Sequence, residues 1–129
     1  MARLLLVEDD DLVRAVLAEA LVAAGHTVQE ATDGLHAMEV FRAEPADIVI
    51  LDLLMPGQEG IETMLMLRRE QPELPVVAMS GNPTHSKLYL EMAAKLGANR
   101  VLAKPFSPSA LVHVIDDVLA ENPPSGTPA

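Results

Sequence analysis

Short apolar runs alternate with amphipathic segments five times along these 129 residues, and that alternation leaves few architectures open. Leu4 to Val7, Ile48 to Leu51 and Val76 to Met79 are apolar throughout, the pattern of parallel strands covered on both faces. Thr27 to Ala31 and Arg100 to Ala103 are weaker strand candidates. In the first intervening segment Val13, Val16, Leu17, Ala20, Leu21 and Ala24 repeat at three and four, which predicts an inward helical stripe, and Gly25 suits its stop. Asp33 can cap a second helix with Leu35, Met38 and Phe41 inward. A third helix is expected over about Gly60 to Glu70 and a fourth over about Lys87 to Leu96, ended by Gly97. Ser107 followed by Pro108 opens a fifth, with Leu111, Val112, Ile115, Val118 and Leu119 inward. Five parallel strands joined by helical crossovers predict an α/β fold: a (βα)5 doubly wound sheet, helices on both faces, and a ligand cleft at the topological switch point. One domain is expected over residues 1–121. Residues 122–129, with three prolines and no periodicity, read as a disordered Pro-rich tail.

Composition removes several function classes. No apolar run approaches the roughly 18 residues of a membrane span, and the start Met1-Ala2-Arg3 passes straight into a strand with no export signal. The absence of cysteine excludes disulfides, thiolate metal sites and cysteine nucleophiles, and fits a reducing cytoplasm. A net charge of −10 and an aromatic content of 2% argue against nucleic-acid binding, which needs basic surface and stacking rings.

The chemistry concentrates at strand ends. Asp52 closes one apolar run, and Glu8 and Asp9 close another. In an open parallel sheet those ends meet at the carboxyl edge, so three carboxylates crowd together and repel one another unless a cation is bound. A lone strand-end aspartate is more often a turn or helix cap, but convergence reverses that preference. Mg²⁺, a hard ion that takes oxygen ligands and keeps several waters, suits such a cluster, with Asp9 and Asp52 as direct ligands and Glu8 acting through water. A carboxylate can also attack a phosphoryl group to give an acyl phosphate, which makes Asp52 the candidate nucleophile. Phosphoryl transfer is mostly positioning and charge stabilisation; Lys104 offers a cation and Ser80 a hydroxyl. Taken singly, Ser80 before Gly81-Asn82-Pro83 is a turn residue and Lys104 a surface lysine. His26, His36, His85 and His113 lack ligand spacing and read as solvated or packing residues, and Met55, Met64, Met66, Met79 and Met92 as core filler.

Glu8-Asp9 in LLLVEDD, Asp52 in LDLLMPG, Ser80 in VVAMSGN and Lys104-Pro105 in VLAKPF stand in that order, each at its own strand end. On these four landmarks the chain, over about Ala2 to Ala120, resembles the receiver domain of bacterial two-component response regulators, of the single-domain, chemotaxis-receiver-like kind. The resemblance implies the flavodoxin-like strand order 2-1-3-4-5, a cis Lys104-Pro105 bond, and a backbone carbonyl at Leu54 as a further Mg²⁺ ligand. It implies Asp52 as phosphoacceptor, with the domain catalysing its own aspartyl phosphorylation and dephosphorylation. A sensor histidine kinase or histidine phosphotransferase would be the donor, and an unknown target would read the face of helix four, strand five and helix five. If the chain is complete, it acts through protein contact or as a phosphoryl sink; if it was cut from a longer protein, the tail is a linker.

This sequence departs from the family pattern. Val101 stands where many receivers carry an aromatic switch residue, and the stretch from Ser80 to Lys104 is about two residues longer than usual, with the excess near Asn82 to Ser86. Leu54, flanking the path of an attacking water, favours a longer-lived phosphoaspartate. Two other classes also use such sheets. A haloacid-dehalogenase-type phosphatase or hydrolase would need a second aspartate two residues after the first, where Leu54 stands. A flavodoxin-like flavin module would need a phosphate-binding loop after the first strand, where this chain has acids.

Overall fold

The computed structural model describes residues 2–53, 59–81 and 86–122. Strands β1 (Arg3–Val7), β2 (Thr27–Ala31), β3 (Ile48–Asp52), β4 (Val76–Ser80) and β5 (Arg100–Ala103) alternate with helices α1 (Asp11–Ala23), α2 (Gly34–Ala43), α3 (Glu59–Glu70), α4 (Ser86–Lys95) and α5 (Pro108–Glu121). The five strands form one parallel sheet in the order β2-β1-β3-β4-β5. The (βα)5 expectation and the strand order both hold. The two weaker strand candidates, β2 and β5, are the edges; only an edge strand has a rim where Thr27, Glu30 and Arg100 can reach water.

Strand alternation divides the core into two layers. Leu5, Val7, Val49, Leu51, Val76 and Ala78 face Met38 and Phe41 of α2, Met64 and Leu67 of α3, and Ala93 of α4. Leu4, Leu6, Ile48, Ile50, Val77 and Met79 face Leu17 and Leu21 of α1 and Leu111, Ile115 and Val118 of α5. The three central strands are thus apolar throughout Leu4 to Val7, Ile48 to Leu51 and Val76 to Met79 because both faces are covered there.

Helix ends follow their sequence signals. The side chains of Asp10, Asp33 and Ser107 accept from the main-chain N–H groups of Val13, His36 and Ala110, and Pro108 occupies the first helical position. Gly25 and Gly97 hold φ of 99° and 104°, the left-handed conformation that ends α1 and α4.

Several inward assignments need correction. Leu35 is exposed: it follows the Asp33 cap in the first turn of α2, off the line of the buried Ala37, Met38 and Phe41. Val16 and Ala24 also face solvent, while Ala18 takes a place in the core. The stripe on α1 is narrower than its spacing suggested because only the line facing the sheet and α5 is covered. Met66 and Met92 are partly exposed, unlike the buried Met64 and Met79. His26 is buried, with Nδ1 accepting from the Ala2 N–H. Met55, His85 and the Pro-rich tail beyond Asn122 lie outside the described residues.

Gly60 packs the start of α3 onto the end of β3. A Cβ there would stand 2.5 Å from the Asp52 carbonyl oxygen and 2.5 Å from Leu53 Cα, both main-chain atoms with no side chain to swing aside. Glycine to alanine within a helix ordinarily stabilises by up to about 1 kcal/mol. Here the sign should reverse: Gly60→Ala is expected to cost about 1–3 kcal/mol through overpacking. Urea denaturation would read it, and an unchanged or higher midpoint would contradict the close approach.

Candidate functional site

The order 2-1-3-4-5 places β1 and β3 side by side where the chain reverses its direction of winding, and the acids follow those two strands. Glu8 and Asp9 come directly after β1 and Asp52 is the last residue of β3, with Val7 paired to Leu51. One carboxylate oxygen from each of Glu8, Asp9 and Asp52 lies within 4.8 Å of the others. Glu8 and Asp52 are buried, whereas Asp9 is exposed. The donor set is all hard oxygen, which fits a divalent cation such as Mg²⁺.

Lys104 reaches into this cluster from the end of β5. Its Nζ donates to Asp52 Oδ2 at 3.1 Å and to Glu8 Oε1. The Lys104-Pro105 bond is cis, as the resemblance implied. The Lys104 N–H bonds the Ser80 carbonyl at 2.8 Å, which ties the ends of β4 and β5 together, and the lysine stem passes Gly81 closely enough that a Cβ there would lie 3.0 Å from Lys104 Cδ. Ser80 is fully buried, and among the described residues its hydroxyl oxygen has no hydrogen-bond partner. A buried hydroxyl without a partner is costly unless something else uses it.

The electrostatics follow from this crowding. Burial pushes the Glu8 carboxyl up from 4.5 to about 7, helped by a hydrogen bond shared with Asp52 and opposed by Lys104. Burial by itself would lower the Lys104 ammonium, but the carboxylates of Glu8 and Asp52 outweigh it and leave the group raised. The lysine is therefore a permanent cation between two buried acids.

The structure thus gathers Glu8, Asp9, Asp52, Ser80 and Lys104 at one edge. Leu54 lies outside the described residues, as do positions 82–85 of the longer segment after Ser80. Val101, on β5, pairs with Ala78 of β4 and is 38% exposed. The sequence offered little to single out Arg14, which anchors the segment bearing the acid pair; its partners Glu8, just after β1, and Glu30, on β2, are distant from each other in the chain, so only its Asp11 neighbour could have hinted at it. A groove of about 920 Å³, lined by Arg3, Asp47, Arg68 and Asn99 among others, opens at the opposite edge of the sheet and shares none of these groups.

Known proteins resemble this chain in sequence and in fold. The chain resembles the alkaline phosphatase synthesis transcriptional regulatory protein SphR of Synechococcus elongatus at 32% identity, over 99% of this chain and 53% of that protein. It resembles the transcriptional regulatory protein CseB of Streptomyces coelicolor at 36% identity, over 89% of this chain and 48% of that one. It spans about half the length of these curated relatives. Among solved structures, NtrX from Brucella abortus superposes with a TM-score of 0.88 at 28% identity, covering 94% of this chain and 28% of that chain. A receiver domain protein from Clostridium thermocellum superposes at 0.85 over 94% of this chain and 96% of that chain; at 22% identity this likeness speaks for the fold alone. The family model of the response regulator receiver domain matches residues 4–116. A match that runs through both core layers and all four strand-end landmarks leaves no room for the rival classes: the chain belongs to the response regulator receiver domain family of two-component signalling.

Proposed function

We propose that Asp52 accepts a phosphoryl group from the phosphohistidine of a sensor histidine kinase or histidine phosphotransferase. The observation that carries this reading is the Lys104 ammonium 3.1 Å from Asp52 Oδ2, inside a cluster of three acids whose oxygens lie within 4.8 Å. As the Asp52 oxygen bonds to phosphorus, the donor's phosphorus–nitrogen bond breaks. Lys104 faces the charge on the transferred group, and the Ser80 hydroxyl supplies a hydrogen bond that it gives to nothing else among the described residues. Glu8, Asp9 and Asp52, with the Leu54 carbonyl, would hold Mg²⁺, which when bound supplies charge neutralisation. The folded unit is residues 1–121, acting in the cytoplasm; no helix of the described residues is long and apolar enough to cross a membrane. Exposed Leu88 and Met92 on α4, Leu96 just after it and Val101 on β5 support the face of α4, β5 and α5 as the surface read by a protein target. Incubation with phosphoramidate and Mg²⁺ should add one phosphoryl group to the intact mass, and a chelator should prevent it. A mass that stays unmodified under both conditions would reject the assignment.

The raised Glu8 carboxyl gives the site a pH signature. Its proton must leave before a dication uses that oxygen, so the apparent Mg²⁺ affinity should fall by up to about tenfold per pH unit below about 7. The metal-free fold runs the other way. The folded value lies above the reference of 4.5, so the contribution of Glu8 to stability is complete below 4.5 and lost as pH rises through about 7. Glu8→Gln should flatten both trends in calorimetric titrations and urea melts; identical pH slopes in variant and wild type would count against the assignment.

A further inference from the structure

Asp9 presents a puzzle within the proposed cation site. Glu8 is held by Lys104 through Oε1 and by the Asp10 N–H through Oε2 at 3.2 Å. Asp52 is buried at the end of a central strand. Asp9 is exposed, and among the described residues no hydrogen bond or ion pair holds its carboxylate. Its place in the cluster therefore depends on its main chain.

That main chain is pinned by Arg14. From α1 its Nη1 donates to the Glu8 carbonyl at 2.8 Å, its Nη2 meets Asp11 Oδ1 at 2.7 Å, and its Nε faces Glu30 Oε1 on β2 at 3.3 Å. The Glu8 N–H, on the other side of that residue, bonds the Ala31 carbonyl at 3.1 Å. The Glu8 carbonyl shares a rigid peptide plane with the Asp9 nitrogen, so the guanidinium sets the direction in which Asp9 leaves the strand. A surface ion pair does not explain this geometry: Asp11 is 87% exposed, and pairs of that kind contribute little. The Arg14 side chain is only 15% exposed, and all three of its nitrogens are engaged.

We infer that Arg14 is a positioning residue for the divalent-cation site, acting through the Glu8-Asp9 peptide to hold the Asp9 carboxylate in place. This rests on the cation-site reading above, and it predicts a sign opposite to that of simple charge. Removing a cation near a cation site should tighten Mg²⁺ binding by Coulomb's law. Removing a positioning contact should weaken it, by about tenfold or more, as supports behind metal ligands do.

The chain contains no tryptophan, so binding is best read by amide-resonance titration with MgCl₂, following residues 8 to 10 and Ser80. Arg14→Met and Arg14→Lys should both weaken Mg²⁺ by about tenfold, at a temperature where metal-free melts show each variant folded. Lysine keeps the charge but cannot span the three partners, and it serves as the test if the methionine variant does not fold. In an Asp9→Asn background, Arg14→Lys should cause no further loss, because the two act on one contact. Unchanged or tighter binding in the Arg14 variants would overturn the inference, as would an undiminished loss in the Asp9→Asn background. A wild-type titration indistinguishable from that of Asp52→Asn would instead overturn the cation site itself.

Discussion

Asp52→Asn is expected to abolish phosphoryl incorporation from phosphoramidate or acetyl phosphate, while the fold survives. Asparagine keeps the shape of the side chain at this buried position but removes the anionic oxygen that would attack phosphorus in the proposed reaction. Neighbouring acids do not substitute for it. Glu8 is committed to Lys104 and the Asp10 N–H, and Asp9 stands apart from the lysine among the described contacts. The wild-type adduct should be discharged by hydroxylamine, since an acyl phosphate is open to nucleophiles and a phosphoserine on Ser80 would not be. A full-yield, hydroxylamine-resistant adduct in Asp52→Asn would place the acceptor elsewhere.

Lys104→Met should produce the second large effect, and it separates stability from chemistry. In the metal-free protein the ammonium lies between two buried carboxylates, so its removal leaves uncompensated charge, at a cost of about 3 kcal/mol. The loss should be greater above about pH 7 than below it, because Glu8 relieves the repulsion at lower pH by keeping its proton. Mg²⁺ should restore much of this stability by binding the folded state more tightly once the competing cation is gone. Phosphorylation, in contrast, should slow by about 10²–10³-fold even at saturating Mg²⁺, because the transferring oxygens lose their cationic partner. Urea melts with and without Mg²⁺, together with the rate of mass gain, test both halves. A variant as stable as wild type without metal would show that the lysine does not offset the acids, and an unimpaired rate would remove it from the chemistry.

The strands, the helix caps and the strand-end chemistry were legible because each depends on local order in the chain. Every position of Ile48 to Leu51 must be apolar if both faces of a central strand are covered, and Asp33 or Ser107 caps a helix through bonds only three residues long. Periodicity and residue type were less reliable for solvent exposure: Leu35 and Val16 fit an inward stripe by spacing and Met66 and Met92 read as core filler by type, but a helix buries only the line that a neighbour covers.

The sequence by itself determined the (βα)5 alternation, which residues end each strand, and hence that Glu8, Asp9, Asp52, Ser80 and Lys104 belong to one edge. Only the tertiary structure decided how those groups meet. The Lys104 ammonium shared between Glu8 and Asp52, the backbone approach that excludes a Cβ at Gly60 and the three-way grip of Arg14 all join residues from separate elements, and the burial of Ser80 leaves its hydroxyl without a partner among the described residues. Such contacts are set by strand order and helix packing to within an ångström, whereas hydrophobic pattern is shared by every chain with the same alternation of elements.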